Sequence, residues 1–438
     1  MTRQSVDPRG RRNSERGTIL LQVAIGGVVL LAFAMFVVDY GMLWVGRRMA
    51  QNAADAGALA GAVALALDND DQSRSDGPAK TAAYRFATAN MVLGETPVVN
   101  DPTTGDFTDV MFYKEAPAKF PPECKDAGCI RVDVHRDQAR GKSIPSWFGG
   151  LVGVTDYGVR ATATAWAGVG DTTDCLKPWA VIDKWDEHWD HVTDMPKDAE
   201  WTLDSHYDRY DDMGDPDPSI TTPDVYIPPT KDSVGTGFYP YESDGKTFSK
   251  WYGLQLTLKA GSQKEIKEYD YGAGWFMALA IGDSTGKKDY KNNIKGCIGV
   301  DYTIGGELPL ETEPGDAVGP TRQAVEQDDD SLIKKDPNAE WNPNLYGTGI
   351  GGVDKSAYAV SPRIVPVPLI NPDALLDAAK NGRTTVTIAN IMGFFIEGMT
   401  KDNKGVIGRL VNIPGLKASG TPTISPSSAW IKMIQLIR

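Results

Sequence analysis

The sequence predicts an α+β protein. A transmembrane helix continues as a pilin-like stalk helix packed on a small sheet, and a mostly-β distal domain follows. Three observations carry this. Residues 18–38 contain no charged side chain, about the 20 residues that a helix needs to cross a bilayer core. Residues 39–67 continue without proline and are rich in Ala and Leu, which favours one unbroken helix of roughly 75 Å from residue 18 onward. Beyond residue 97, β-branched, aromatic and alternating apolar residues come in short runs, the pattern of strands.

Residues 1–17 form a basic tail, with Arg3, Arg9, Arg11, Arg12 and Arg16 against only Asp7 and Glu15. Basic flanks stay in the cytoplasm, so the tail is expected inside, the span at 18–45 and the bulk of the chain outside. Arg47 and Arg48 pull the other way, more weakly. A secretory signal peptide competes, but the apolar run is too long for one and no clean A-x-A site precedes a soluble start. The half of the helix beyond the span carries small residues at Ala50, Ala53, Ala54, Gly57, Ala60, Gly61 and Ala64. Such a surface lets another helix approach closely, although Ala is also simply the best helix former.

Residues 68–78 are a turn-rich break. A second helix is expected over 79–92, with Ala83, Phe86, Ala87 and Met91 on one face, and it can fold back on the stalk. Strands are expected at 110–113, 130–135 and 159–167, with an apolar turn at 144–150 between the last two. A linker at 168–174 would separate a module at 46–170 from an acidic domain at 171–438. In that domain strands are expected at 251–258, 275–281, 363–370, 384–397 and 431–437. An extended stretch covers 223–229, and helices are expected at 321–335 and 372–379.

Val38-Asp39-Tyr40-Gly41, and then the run Gln51-Asn52-Ala53-Ala54-Asp55 through Ala62, resemble the N-terminal signature of TadE/TadG-like proteins of the tight-adherence (Flp) pilus-assembly system. The match is strong over 16–62, with a weaker echo at 144–167, where that family shows a Trp/Phe-Phe-Gly turn and then alternating Ala and Thr. The resemblance implies a non-enzymatic role in assembling, anchoring or decorating a Flp-type pilus at the bacterial cytoplasmic membrane. Its partners would be the lipid bilayer and other Tad pilus-assembly or pilin-like proteins. Within it, Ala53, Gly57, Ala60 and Gly61 are the candidate helix-packing residues. Gly17-Thr18 is a candidate prepilin-type cleavage site, with Gln22 where pilin-like precursors usually carry Glu.

The net charge is −13, which argues against a general nucleic-acid binder. The four cysteines all lie in the part expected outside, where disulfides persist. Cys124 and Cys129 are close enough to close a small loop, which leaves Cys175 to pair with Cys297. Zinc fits these cysteines less well, because the spacing is not C-x₂-C and no His flanks the pair.

Asp208, Asp211, Asp212, Asp215 and Asp217 concentrate hard oxygen ligands in a Gly/Pro-bent loop and are candidates for calcium. The alternative is a solvated acidic loop. His188 and His191, with His206 or an Asp, are candidates for zinc. An alternative function is therefore a membrane-tethered envelope enzyme, or a calcium- or zinc-binding protein, that uses the segment 183–217. The G-x-S-x-G match at 282–286 lacks a downstream His, so a hydrolase triad is not expected. The D-x-S-x-S match at Asp71, Ser73 and Ser75 resembles the metal motif of von Willebrand factor A domains, but it follows an Ala-rich helix rather than a buried strand. No P-loop is present, and no G-x-G-x-x-G stands ahead of an expected helix.

Overall fold

The computed structural model describes residues 9–67, 77–100, 109–124, 128–190, 193–196, 200–210, 215–245, 247–261, 271–282, 286–310, 317–345, 349, 351–358, 360–375, 385–416 and 424–437. The chain opens with one helix of 59 residues, α1 (Arg9–Leu67), about 88 Å long. Among the described residues, nearly all the apolar side chains from Ile19 to Val38 are exposed, with only Gly27 and Met35 half-buried, and this stretch is long and apolar enough to cross a membrane. The second half is covered. Ala50, Ala53, Ala54, Ala58 and Ala62 are fully buried under α2 (Pro78–Ala89) and a sheet.

The strands of the two main sheets, in chain order, are β1 (Val110–Phe112), β2 (Cys129–Arg136), β3 (Val159–Val169), β4 (Trp179–Ile182), β5 (Gln255–Ala260) and β6 (Trp275–Ala278). They continue with β7 (Glu307–Pro309), β8 (Ile364–Ile370), β9 (Thr385–Met399), β10 (Gly405–Val411), β11 (Ile413–Pro414) and β12 (Ile431–Ile437). The first sheet has the order β1-β2-β3-β12-β11. Its β3 turns Val159, Ala161, Ala163 and Ala165 toward α1 and Arg160 and Thr162 away from it, the period-2 alternation of a half-buried strand. Alanine on both helix and strand lets the two backbones come close. The Gln51 amide donates to Asp55 Oδ1 (2.8 Å) and to the β3 carbonyl of Thr162 (3.0 Å). The Gln-Asn-Ala-Ala-Asp block thus ties helix to sheet.

The second sheet has the order β7-β9-β8-β4-β6-β5-β10, and β9 also pairs with β10. Six strands therefore close into a barrel, with β7 added at β9. Closure leaves no free edge among those six. The interior is filled by Trp179, Val181, Leu256, Phe276, Val367, Met392 and Phe394, all buried. The disulfides are Cys124–Cys129 and Cys175–Cys297. The second joins the approach to β4 to the segment after helix α3 (Lys287–Lys295).

Several elements differ from the sequence reading. Strand β12, expected in the distal region, is paired along β3 from Lys432↔Val169 to Ile437↔Thr164. The chain's last strand thus completes the first sheet. Residues 168–174, expected as a linker, are tied on both sides, with Gly170 N bonded to Ile431 O (2.9 Å) and Leu416 N to Thr172 O (2.8 Å). The helix expected over 321–335 is broken. Val318–Arg322 is α-helical, Gln323–Gln327 is a π turn and Leu332–Lys335 is a separate turn. The break falls where Asp328 and Asp330 swing out to accept from Lys291 (3.0 Å) and Lys295 (3.1 and 2.7 Å). The strand expected from 251 begins at 255, because Trp251–Gly253 is a turn with Gly253 at φ +76°. Strand β10 was not expected. Its Gly408 lies under the Phe394 ring, where a Cβ would come within 2.6 Å. Of the helix expected at 372–379, residues 372–375 are helical and the rest lie outside the described residues.

Candidate functional site: the clamp at Asp39 and an acidic cluster

Asp39 is the first charged residue after the uncharged run, and it is buried. Its neighbours come from more than a hundred residues away. Oδ2 accepts from Gly149 N (2.8 Å), Ser146 Oγ (2.9 Å), Phe148 N (3.2 Å) and Tyr157 OH (3.2 Å), and Oδ1 accepts from Trp147 N (3.1 Å). Consecutive backbone N–H groups converging on one carboxylate form an anion nest. Gly149 is required there, because a Cβ would lie 2.8 Å from Val154 O and against Ser146 Oγ. The apolar turn expected at 144–150 is thus the tip of a short hairpin, Ile144–Pro145 paired with Asp156–Tyr157, locked to α1 by one side chain. The sequence showed Asp39 only as part of a motif. Its place at the end of an uncharged run was the signal that could have marked it.

Seven turns further along α1, the other end is held as well. The last carbonyls of a helix have no partner within it. Here the Asn412 amide donates to Ala66 O (3.1 Å) and to Tyr241 OH (2.6 Å), and Tyr252 OH donates to Leu67 O (3.0 Å). The barrel therefore caps α1. Between the two clamps lie the candidate packing residues. A Cβ on Gly57 would lie 2.8 Å from both Ala83 O and Ala87 Cβ, and one on Gly61 2.7 Å from Ile130 Cδ1 and 3.0 Å from Ala83 Cβ. Ala53 is fully buried and Ala60 half-buried. The chain's own α2 meets this stripe at Gly57 and Gly61.

Of the candidate calcium ligands, Asp211 and Asp212 lie outside the described residues, as does His191. Asp217 turns to its own loop and accepts from Ser219 N (2.8 Å) and Oγ (2.6 Å), which holds its carboxyl below the usual range. Asp215 is exposed. Asp208 instead meets Glu187 and Asp224, with carboxylate oxygens all within 4.8 Å of one another. Asp224 is fully buried, and accepts from His188 N (2.7 Å), Trp189 N (3.1 Å) and Asp208 N (2.8 Å). Burial still pushes its carboxyl up to about 6. Burial pushes Glu187 up to about 7, and among the described residues its buried Oε2 has no hydrogen-bond partner. Glu187 also lines a cleft of about 530 Å³ with Lys184, Trp201, Lys250 and Trp251. Three hard oxygens beside an opening are of the kind that calcium takes. Glu187 and Asp224 were not among the expected ligands, and nothing in their local sequence marks them. Among the described residues this group contains no histidine. His206 is bridged to Gly272 and is not one of the three. The motifs at 71–75 and 283–285 lie outside the described residues.

The chain carries two pilus-assembly domains. Residues 17–64 match the TadE/G-like Flp pilus-assembly family, and residues 60–165 match a Tad-like Flp pilus-assembly family. The first covers the uncovered span, Asp39 and most of the covered half of α1. The second covers α2, the hairpin and all but the end of β3. No curated protein and no solved structure matches the chain.

Proposed function

We propose that this chain is a single-span component of a Flp-type pilus-assembly apparatus at the bacterial cytoplasmic membrane. Its N-terminus is inside and its bulk outside. It contributes to assembling, anchoring or decorating the pilus, and so to surface adherence, through packing and contacts rather than catalysis. The two family matches supply the system, and the apolar, uncovered half of α1 supplies the anchor. Two disulfides suit an oxidising compartment outside the cytoplasm. The observation that carries the reading is the Asp39 clamp. It fixes the module against α1 at the point where the uncharged run ends, so that the module stands at the edge of the span. The partners are the bilayer and other Tad pilus-assembly or pilin-like proteins.

The test pairs topology with assembly. A C-terminal alkaline phosphatase fusion should be active, and Asp39→Ala should reduce surface adherence at a normal membrane level. An inactive fusion would overturn the orientation, and full adherence in Asp39→Ala would remove the clamp from the mechanism.

A second reading concerns the distal domain alone. The buried oxygen of Glu187, together with Asp208 and Asp224, favours a divalent-cation site of calcium type. Calorimetric titration of the full chain with calcium should give binding that Glu187→Gln weakens. An absence of binding heat would remove it.

A further inference from the structure

The hairpin tip carries an apolar surface that none of the described residues covers. From Ser143 to Thr155 the sequence has no charged residue. Trp147 is 69% exposed, Leu151 74% and Val154 39%. Isolated exposed apolar residues need no explanation, but three on one uncharged tip do.

The direction of the hairpin identifies what covers them. Its base lies beside Gly46, where a Cβ would be 3.5 Å from Ile144 Cδ1. Its tip is bonded to Asp39 through Gly149 N (2.8 Å). Seven residues of helix separate these two levels, so the hairpin descends about 10 Å along α1 toward the apolar span. The uncharged run of 18–38 is about 31 Å long, the thickness of a bilayer core, and it ends at Asp39. The tip therefore sits at the outer boundary of that core. On α1 at the same level, Tyr40 and Trp44 are exposed, with the Arg48 guanidinium 5.1 Å over the Trp44 ring. Aromatic residues with basic neighbours are the composition that membrane interfaces select.

We infer that the hairpin tip, through Trp147, Leu151 and Val154, rests in the interfacial layer of the bilayer beside α1. This builds on the membrane-anchored reading above. The protein then meets the membrane at two points, a span and a shallow foot, and the Asp39 clamp joins them. Two contacts fix the tilt of the stalk, which a single span leaves free. The occupant is lipid rather than a protein groove because the tip is bonded to Asp39, the residue at which the exposed uncharged run of α1 ends.

The test uses the full chain reconstituted in vesicles of phosphatidylethanolamine and phosphatidylglycerol. Single cysteines replace Leu151, Val28 or Lys231, each exposed, and carry an environment-sensitive nitrobenzoxadiazole label. The label at 151 should be blue-shifted and quenched by lipids spin-labelled near the headgroup. The label at 28 should be quenched by lipids spin-labelled deep in the chain, and that at 231 by neither. A label at 28 in lipid with a label at 151 in water would overturn the foot and leave the anchor standing. A label at 28 in water would overturn the anchor, and the foot with it. A blue shift at 151 without quenching by either spin-labelled lipid would assign the patch to a protein partner and overturn the lipid contact.

Discussion

The two halves of α1 solve different problems with one backbone. From Ile19 to Val38 the helix carries bulky Leu, Val, Ile and Phe on every face, and every face is uncovered. From Ala50 to Leu67 it carries Ala and Gly on the faces that α2, β2 and β3 approach, and those faces are closed. A helix that is apolar all round suits a uniform apolar surround. A helix with small residues suits close packing against protein, because the gain comes from bringing backbones together. Asp39 lies between the two regimes. The difference shows that side-chain size, at nearly constant helix propensity, records which solvent each half meets.

The largest expected effect tests that statement directly. Gly57→Leu places a branched side chain where a Cβ alone would lie 2.8 Å from Ala83 O. Overpacking of this kind costs about 3 kcal/mol, and more where backbone must move. Gly27→Leu, where a Cβ meets nothing within 4 Å, should leave stability unchanged. Thermal unfolding and limited proteolysis of the two variants in detergent should separate them clearly. Equal behaviour would mean that α2 does not pack on α1 as described.

The next effect is at the boundary. Asp39→Ala leaves the amides of Trp147, Phe148 and Gly149 without their acceptor, at a cost of roughly 2–3 kcal/mol. Amide exchange should accelerate at residues 147–149 and not at Ala161–Ala165 on β3. Uniform acceleration across both would make Asp39 part of the general core rather than a local clamp.

These residues also show what the sequence could and could not reveal. The span, the stalk and strands β1, β2 and β3 of the first sheet were legible, because an uncharged run, an alanine-rich run and period-2 alternation are local signals. The Cys124–Cys129 disulfide was legible from spacing, and Cys175–Cys297 then by elimination. The Asp39 clamp was not, because its donors lie 107 to 118 residues away. Barrel closure was not, because β10 contains Gly405 and Gly408, which read as loop although Gly408 makes room for Phe394. The destination of β12 has no local signature, since its alternation would suit either sheet. The cluster of Glu187, Asp208 and Asp224 joins three loops that only the fold brings together.

Titration distinguishes the distal region from the stalk. Burial holds Glu187 up to about 7 and Asp183 and Asp224 up to about 6. Each folded value lies above the unfolded one, so the folded state holds more protons across that window. Stability should therefore fall as pH rises from about 4.5 to about 7. Burial pushes Lys177 and Lys432 down to about 7. For these the unfolded state holds more protons above that value, so stability should rise from about pH 7 to about pH 10. A shallow minimum near neutrality is expected in unfolding midpoints. Glu187→Gln should flatten its acid side and Lys432→Met its alkaline side. A profile without a minimum would place these groups in water rather than in the interior.

The smallest expected effect is at the far end of α1, where the stalk meets the barrel. Tyr252 OH donates to Leu67 O, and Asn412 serves Ala66 O beside it. Tyr252→Phe keeps the ring, which packs near Phe248 and Trp430, and removes only the hydroxyl. One neutral hydrogen bond is worth about 1 kcal/mol, so the barrel should remain folded. The change should appear locally, as faster amide exchange over the last turn of α1, since a helix end without partners frays. Exchange in the uncovered half should stay as it was, because nothing from the barrel reaches it. If Tyr252→Phe loosened the span as well, the two halves of α1 would be one cooperative unit, and the division at Asp39 would be one of composition rather than of stability.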